Sequence, residues 1–137
     1  MKAAVVVAHP DDEIIWTGGS IMLHPGWQWD IAALCRGSDP DRAPRFKHIL
    51  EHIGACGAMA DLDDSPEQTP LSLSTIKKTV LSLLRDRAYD YLVSHSPMGE
   101  YSRHRRHEET GRAVASLWQS GAIRAKVLLL FAYEDGR

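Results

Sequence analysis

The chain of 137 residues reads as an α/β protein: a Rossmann-like three-layer sandwich around a mostly parallel five-stranded sheet, strand order 3-2-1-4-5. Three observations predict it. Strand-like apolar segments alternate with helix-length stretches. The strands are near-continuous apolar runs, as expected where a parallel sheet is covered on both faces. Residues with ligand and catalytic chemistry gather directly after strand ends, where open α/β sheets bind ligands.

The first strand spans Lys2–Ala8, built on Ala3-Ala4-Val5-Val6-Val7. A helix over Glu13–Leu23 follows. Gly18 and Gly19 inside it weaken a helix by about 1 kcal/mol each, so either the helix breaks there or the glycines permit close packing on the sheet. The second strand is Trp29–Cys35 and the second helix Pro44–Gly54. A short strand near Met59–Leu62 leads into the polar stretch from Asp61 to Pro70, the one candidate for a lid. The third helix is expected over Ser72–Arg87, with Ile76, Val80, Leu83 and Leu84 forming its apolar stripe and Ser72 or Ser74 its cap. The strand Tyr89–Ser94, the helix His104–Gln119 and the strand Lys126–Tyr133 complete the order. Right-handed crossovers then put strands one and four side by side across the switch point.

Composition narrows the function classes. Apolar residues make up 44% and charged residues 25%, which suits one ordinary globular domain over residues 1–137. A net charge of −2 gives no general pull toward nucleic acid or an anionic membrane. Arg103, Arg105, Arg106 and Arg112 form a local basic patch; the plainer reading is a solvated helix face with Glu108 and Arg112 paired. Cys35 and Cys56 suggest no disulfide framework. No stretch approaches the roughly 18 apolar residues of a membrane span, and the start of the chain lacks signal-peptide features. A cytoplasmic protein without nucleic-acid or membrane partners is the expectation. There is no Gly-x-Gly-x-x-Gly after strand one, which disfavours a dinucleotide. His24, His48 and His52 lie away from strand ends and read as surface or packing residues.

The run Ala8-His9-Pro10-Asp11-Asp12-Glu13 ends the first strand with an imidazole and two carboxylates. These are borderline-hard ligands suited to zinc, although Asp is also a good helix cap. A second cluster follows strand four: His95, Glu100 and then His104-Arg105-Arg106-His107 at the start of a helix. Two histidines three apart can face one side of a helical turn. A catalytic zinc takes three protein ligands and keeps a position for water. His9, Asp12 and one of His104 or His107 would supply that set.

His-Pro-Asp-Asp-Glu after strand one, with Gly99-Glu100-Tyr101 and a His-x-x-His later, resembles the PIG-L/LmbE-like family of zinc-dependent de-N-acetylases, over about Val5 to Tyr133. The resemblance implies metal on His9, Asp12 and His107, with Zn2+ expected and Fe2+ or Co2+ as alternatives. It implies Asp11 as general base and His104 as electrostatic or acid partner. Arg42 matches an arginine that often faces substrate in that family. His95 and Glu100 are expected to overlook the metal, as substrate contacts or as loop hydrogen-bonding groups. The implied reaction removes an N-acetyl group from a small amino sugar or conjugate, such as one of N-acetylglucosamine. The alternatives are a metal-dependent phosphoester hydrolase and a non-catalytic metal- or ligand-binding domain.

The chain departs from the family in one motif. Where His-Pro-Asp-His is usual, with an Asp able to orient the first His, this chain has Arg105 and Arg106. A neighbouring cation should lower the His104 pKa, and any orienting carboxylate must come from elsewhere. Family members also generally continue beyond this length, while Val127-Leu128-Leu129-Leu130-Phe131 forms a strongly apolar edge strand. The expectation is that either a C-terminal portion is missing or a homo-oligomer covers that edge.

Overall fold

Nine elements alternate in strict β/α order in the structure, a computed structural model that describes residues 1–133. They are β1 (Lys2–Val7), α1 (Asp12–Leu23), β2 (Gln28–Cys35), α2 (Arg42–Ile53), β3 (Cys56–Leu62), α3 (Leu73–Leu83), β4 (Ala88–Ser94), α4 (Arg105–Gln119) and β5 (Arg124–Leu130). The sheet order is β3-β2-β1-β4-β5. Every pairing is parallel rather than mostly so, with Val5 opposite Ile31 on one side and Val93 on the other.

Period-2 alternation along β1 divides the core. Ala4 and Val6 face α3 and α4 through Ile76, Val80, Val114 and Leu117. Ala3, Val5 and Val7 face α1 and α2 through Ile21, Phe46 and Leu50. Both faces of the central strand are thus dry, which is why its sequence has no polar alternation.

Several boundaries differ from the sequence reading. β3 begins three residues early, at Cys56, because Asp30 to Ala33 of β2 pair with Cys56 to Met59. α3 stops at Leu83: Leu84 is already extended, and Arg85 donates its backbone N–H to buried Asp30 (2.8 Å) instead of continuing the helix. Ser72 is the cap, its hydroxyl accepting from Thr75 N–H at 3.1 Å. α1 runs unbroken through Gly18 and Gly19, and neither glycine brings the helix closer to the sheet: a Cβ on Gly18 would meet only Ile14, and one on Gly19 nothing. The glycine that matters is Gly111 of α4. A Cβ there would run into the His95 carbonyl oxygen and the Pro97 backbone nitrogen, so only glycine lets α4 lie on the loop that leaves β4.

On the outer side of β5, Val127, Leu129 and Leu130 are exposed, whereas Phe131 is buried and stacks on Trp16. Among the described residues no helix is long and apolar enough to cross a membrane.

Candidate metal centre

β1 and β4 are neighbours, so the segments leaving their carboxyl ends meet above the sheet. β1 delivers His9, Pro10 and Asp11. Asp11 occupies the N-cap position of α1 but makes no side-chain cap bond, so the capping role open to this run is not used. Asp12, the first helical residue, turns inward and accepts the His9 backbone N–H at Oδ2 (3.0 Å). β4 delivers His95 on one side, and the Gly111 contact brings α4 down so that His107 enters from above.

Three donor atoms then form a nearly equilateral triangle. His9 Nδ1 lies 3.4 Å from Asp12 Oδ2, His107 Nε2 lies 3.3 Å from the same oxygen, and the two imidazole nitrogens are 3.2 Å apart. The oxygen–nitrogen separations are long for charge-assisted hydrogen bonds, which centre near 2.7–2.9 Å. They match the edge of a tetrahedron with bonds of about 2.0–2.1 Å, roughly 3.3–3.4 Å, the size of a four-coordinate zinc site. The donor set, two imidazoles and a carboxylate, suits a divalent transition metal. The residues present therefore fit the ion that the sequence implies.

The rear nitrogen of each imidazole is held by a carboxylate. His9 Nε2 meets Asp64 Oδ1 at 2.9 Å, and His107 Nδ1 meets Glu100 Oε2 at 3.1 Å. Such partners fix ring orientation and raise ligand basicity. Burial opposes the charge on Asp12, but the His107, His9 and His95 rings outweigh it and hold this carboxyl far below the usual carboxylate range. Glu100 and Asp64 are likewise lowered against the effect of burial by their histidine partners.

The side chains of His95 and Glu100 are both buried. His95 is fully buried, its Nδ1 on Glu100 Oε1 (2.8 Å) and its Nε2 accepting the Ala8 N–H (3.1 Å). Burial lowers its pKa and the Asp12 and Glu100 carboxylates raise it more. The Ala8 N–H nevertheless requires a lone pair on Nε2, which places the ring proton on Nδ1. Glu100, almost wholly enclosed, bridges His95 and His107. Both residues hold hydrogen bonds within the centre, the second of the two roles expected for them.

His104 caps α4 by position, stacks on His107 (ring centroids 4.5 Å) and meets His9 edge-on (4.8 Å). Its pKa is lowered, first by burial and then by His107 and His9, with Arg105 and Arg106 not among the largest causes. No carboxylate orients it, and its Nδ1 is buried without a partner among the described residues. Arg42 lies against the general-base candidate: Nη2 donates to Asp11 Oδ2 (2.9 Å) and to the Pro10 carbonyl (2.6 Å). The Asp11 backbone has φ 132°, a strained value for a non-glycine residue, and its N–H is held by Glu13 Oε2 at 2.9 Å.

Asp11 borders a cleft of about 460 Å³ shared with Ile14, Arg42 and Phe46. His104 borders another of about 910 Å³, shared with Arg36, Asp39, Asp61 and Asp64. Sequence reasoning missed Asp64; its one signal was its place just after a strand end on the same sheet edge. The expected Glu108–Arg112 pair is absent, since Glu108 binds Arg103 instead (2.8 Å).

Residues 4–118 match the family model for PIG-L, GlcNAc-PI de-N-acetylase. The chain belongs to the PIG-L family. A mimivirus protein of uncharacterized function, from Acanthamoeba polyphaga mimivirus, is 23% identical over 126 residues, covering 80% of this PIG-L chain and 55% of the relative. Among solved structures, a deacetylase from the teicoplanin biosynthesis pathway superposes with a TM-score of 0.67 at 11% identity, over 91% of this chain and 65% of that one. GalB, a 4-carboxy-2-hydroxymuconate hydratase from Pseudomonas putida, gives 0.64 at 22% identity, over 85% and 55%. The PIG-L chain thus spans little more than half of the mimivirus protein and of GalB. At these identities the likeness shows the fold, and the two solved relatives are named for different reactions.

Proposed function

We propose that this chain hydrolyses an N-acyl amide, removing an acetyl group from an amino sugar or a conjugate of one, with a divalent metal held by His9, Asp12 and His107. The triangle of three donors 3.2–3.4 Å apart carries the reading. Membership of a de-N-acetylase family supports the reaction class and the substrate class. Zn2+ is the ion the donor set suits best; Fe2+ or Co2+ would meet the same ligands.

A metal in this position supplies a water nucleophile active near neutral pH and polarises the acyl oxygen. The protein's own groups do the rest. Asp11, exposed beside the triad and held by Arg42, takes the proton from water as the new C–O bond forms. His104, kept neutral by burial and its histidine neighbours, offers a hydrogen bond to charge growing on the acyl oxygen. As the C–N bond breaks, the proton held by Asp11 passes to the departing nitrogen, leaving an amine and a carboxylic acid, whose remaining proton then moves to the amine to give ammonium and carboxylate.

Acetate release from a panel of N-acetyl amino sugars, measured beside elemental analysis, tests the proposal. The chain should carry one metal and release acetate. Asp11→Asn should retain the metal and lose roughly 10²- to 10⁴-fold in turnover. Undiminished turnover removes Asp11 as base, and a metal-loaded chain inert on every N-acyl amine sinks the hydrolase reading.

A further inference from the structure

Arg106, at the position where the family usually carries an aspartate, is the largest fully buried side chain among the described residues. Its guanidinium is satisfied on three sides. Nε donates to the Asp63 carbonyl (2.6 Å), Nη2 to the Thr69 carbonyl (2.8 Å) and Nη1 to Glu109 Oε2 (2.8 Å). The other Glu109 oxygen accepts the Leu71 N–H at 3.1 Å. Two side chains about one turn apart on α4 thereby grip the irregular segment between β3 and α3 at Asp63, Thr69 and Leu71. The residue after the gripped Asp63 carbonyl is Asp64, whose Oδ1 meets His9 Nε2.

Burying a guanidinium carries a desolvation penalty of several kcal/mol, which an apolar side chain of similar volume avoids. What the charge adds at this place is a fixed course for a segment without secondary structure of its own. We propose that Arg106 is a positioning residue for the metal centre: acting through residues 63–69, it seats Asp64 against His9 and so aims the His9 ring. The arginine that displaces the family's aspartate recruits a carboxylate from another strand end. That carboxylate serves the first histidine of the site, His9, whereas His104 is left without one. The inference rests on His9 being a metal ligand and does not depend on which bond is hydrolysed. Its rival is Arg36, whose Nε also holds Asp64, at Oδ2 (2.8 Å).

The test uses the full chain, Co2+ as a visible-absorption probe, Zn2+ by competition, and thermal melts. Asp64→Asn should weaken Co2+ binding by roughly 10- to 100-fold and alter the absorption band. Arg106→Gln should do the same, and the double variant should bind no more weakly than Asp64→Asn alone, since both changes cut one connection. Arg106→Lys, which keeps the charge without the fork, should fall between parent and Arg106→Gln. Parent-like Co2+ affinity in Arg106→Gln with only a lowered Tm would overturn the proposal, as would losses that multiply in the double variant. Should Arg106→Gln fail to fold, Arg106→Lys decides by the same criterion. A parent chain that binds Co2+ in this order but releases no acetate leaves the inference standing and removes the hydrolase reading. A parent that binds neither ion overturns the inference.

Discussion

Two buried polar clusters lie at opposite ends of the same strands. At the amino ends, Asp30 of β2 accepts the Tyr89 hydroxyl at 2.6 Å and the Arg85 N–H at 2.8 Å on one oxygen. At the carboxyl ends, one oxygen of Asp12 faces three imidazole nitrogens at 3.3–3.4 Å. Burial alone does not separate the two clusters. What separates them is whether donors and acceptors close on each other. Around Asp30 they do so at hydrogen-bond distance, leaving only Oδ1 without a partner, and burial with the Asp30 contact raises the Tyr89 hydroxyl well above the usual tyrosine range, so it stays a donor. Around Asp12 the His9 backbone N–H closes at 3.0 Å, but the His9 and His107 ring nitrogens stand off at 3.3–3.4 Å, a spacing at which the three donors could share a cation. The first cluster is a structural tie, and the second has the dimensions of a ligand site.

The largest expected difference follows from removing a ligand. His107→Ala should weaken Zn2+ binding well beyond the roughly 10- to 100-fold that loss of an outer carboxylate produces, with little change in Asp30 packing. Zinc competition titration checks it, and retained affinity would erase the contrast drawn above. Tyr89→Phe should destabilise the fold by about 1–3 kcal/mol, because it strips a donor from a buried carboxylate. Metal affinity should stay at the parent level; a denaturant series read beside the titration separates the two effects. The smallest effect concerns Glu13, buried under the His9–Asp12 turn. Burial raises its pKa despite the Asp11 N–H it accepts. A carboxyl whose folded pKa exceeds its unfolded value binds protons more tightly in the folded chain. Its stabilising contribution is therefore present at acid pH and is lost as pH rises from the ordinary glutamate range through the raised value. Glu13→Gln, whose amide oxygen can still accept that N–H, should remove this loss. In metal-free melts the Tm of the variant minus that of the parent should widen with rising pH; a constant gap would exclude Glu13 as the titrating group.

The sheet order was legible because apolar runs at β1, β2, β4 and β5, spaced by helix-length segments, admit few right-handed arrangements. β3 was half legible: Cys56-Gly57-Ala58 has no strand signature and pairs only because β2 offers an open edge. Of the site, the ligand types at the ends of β1 and β4 were legible as chemistry. Whether His104 or His107 closes the triangle was not, since both lie within one turn and the angle of α4 over the sheet decides between them. Asp64 was hidden among Asp61, Asp63 and Asp64, three carboxylates that nothing local tells apart. Arg106 read as part of an exposed basic patch, yet it is buried, while Arg105 beside it is exposed.

From the sequence alone follow the alternation of elements, the neighbouring of strands one and four, and the identity of the groups that meet above them. Those depend on local patterning and on chain handedness, both of which are written along the chain. The tertiary structure alone decided which side chains carry their charge into the interior and which donors face one another at metal-sharing distance. A buried charge is tolerated only where distant backbone and carboxylates happen to satisfy it, and that pairing exists nowhere before the helices dock.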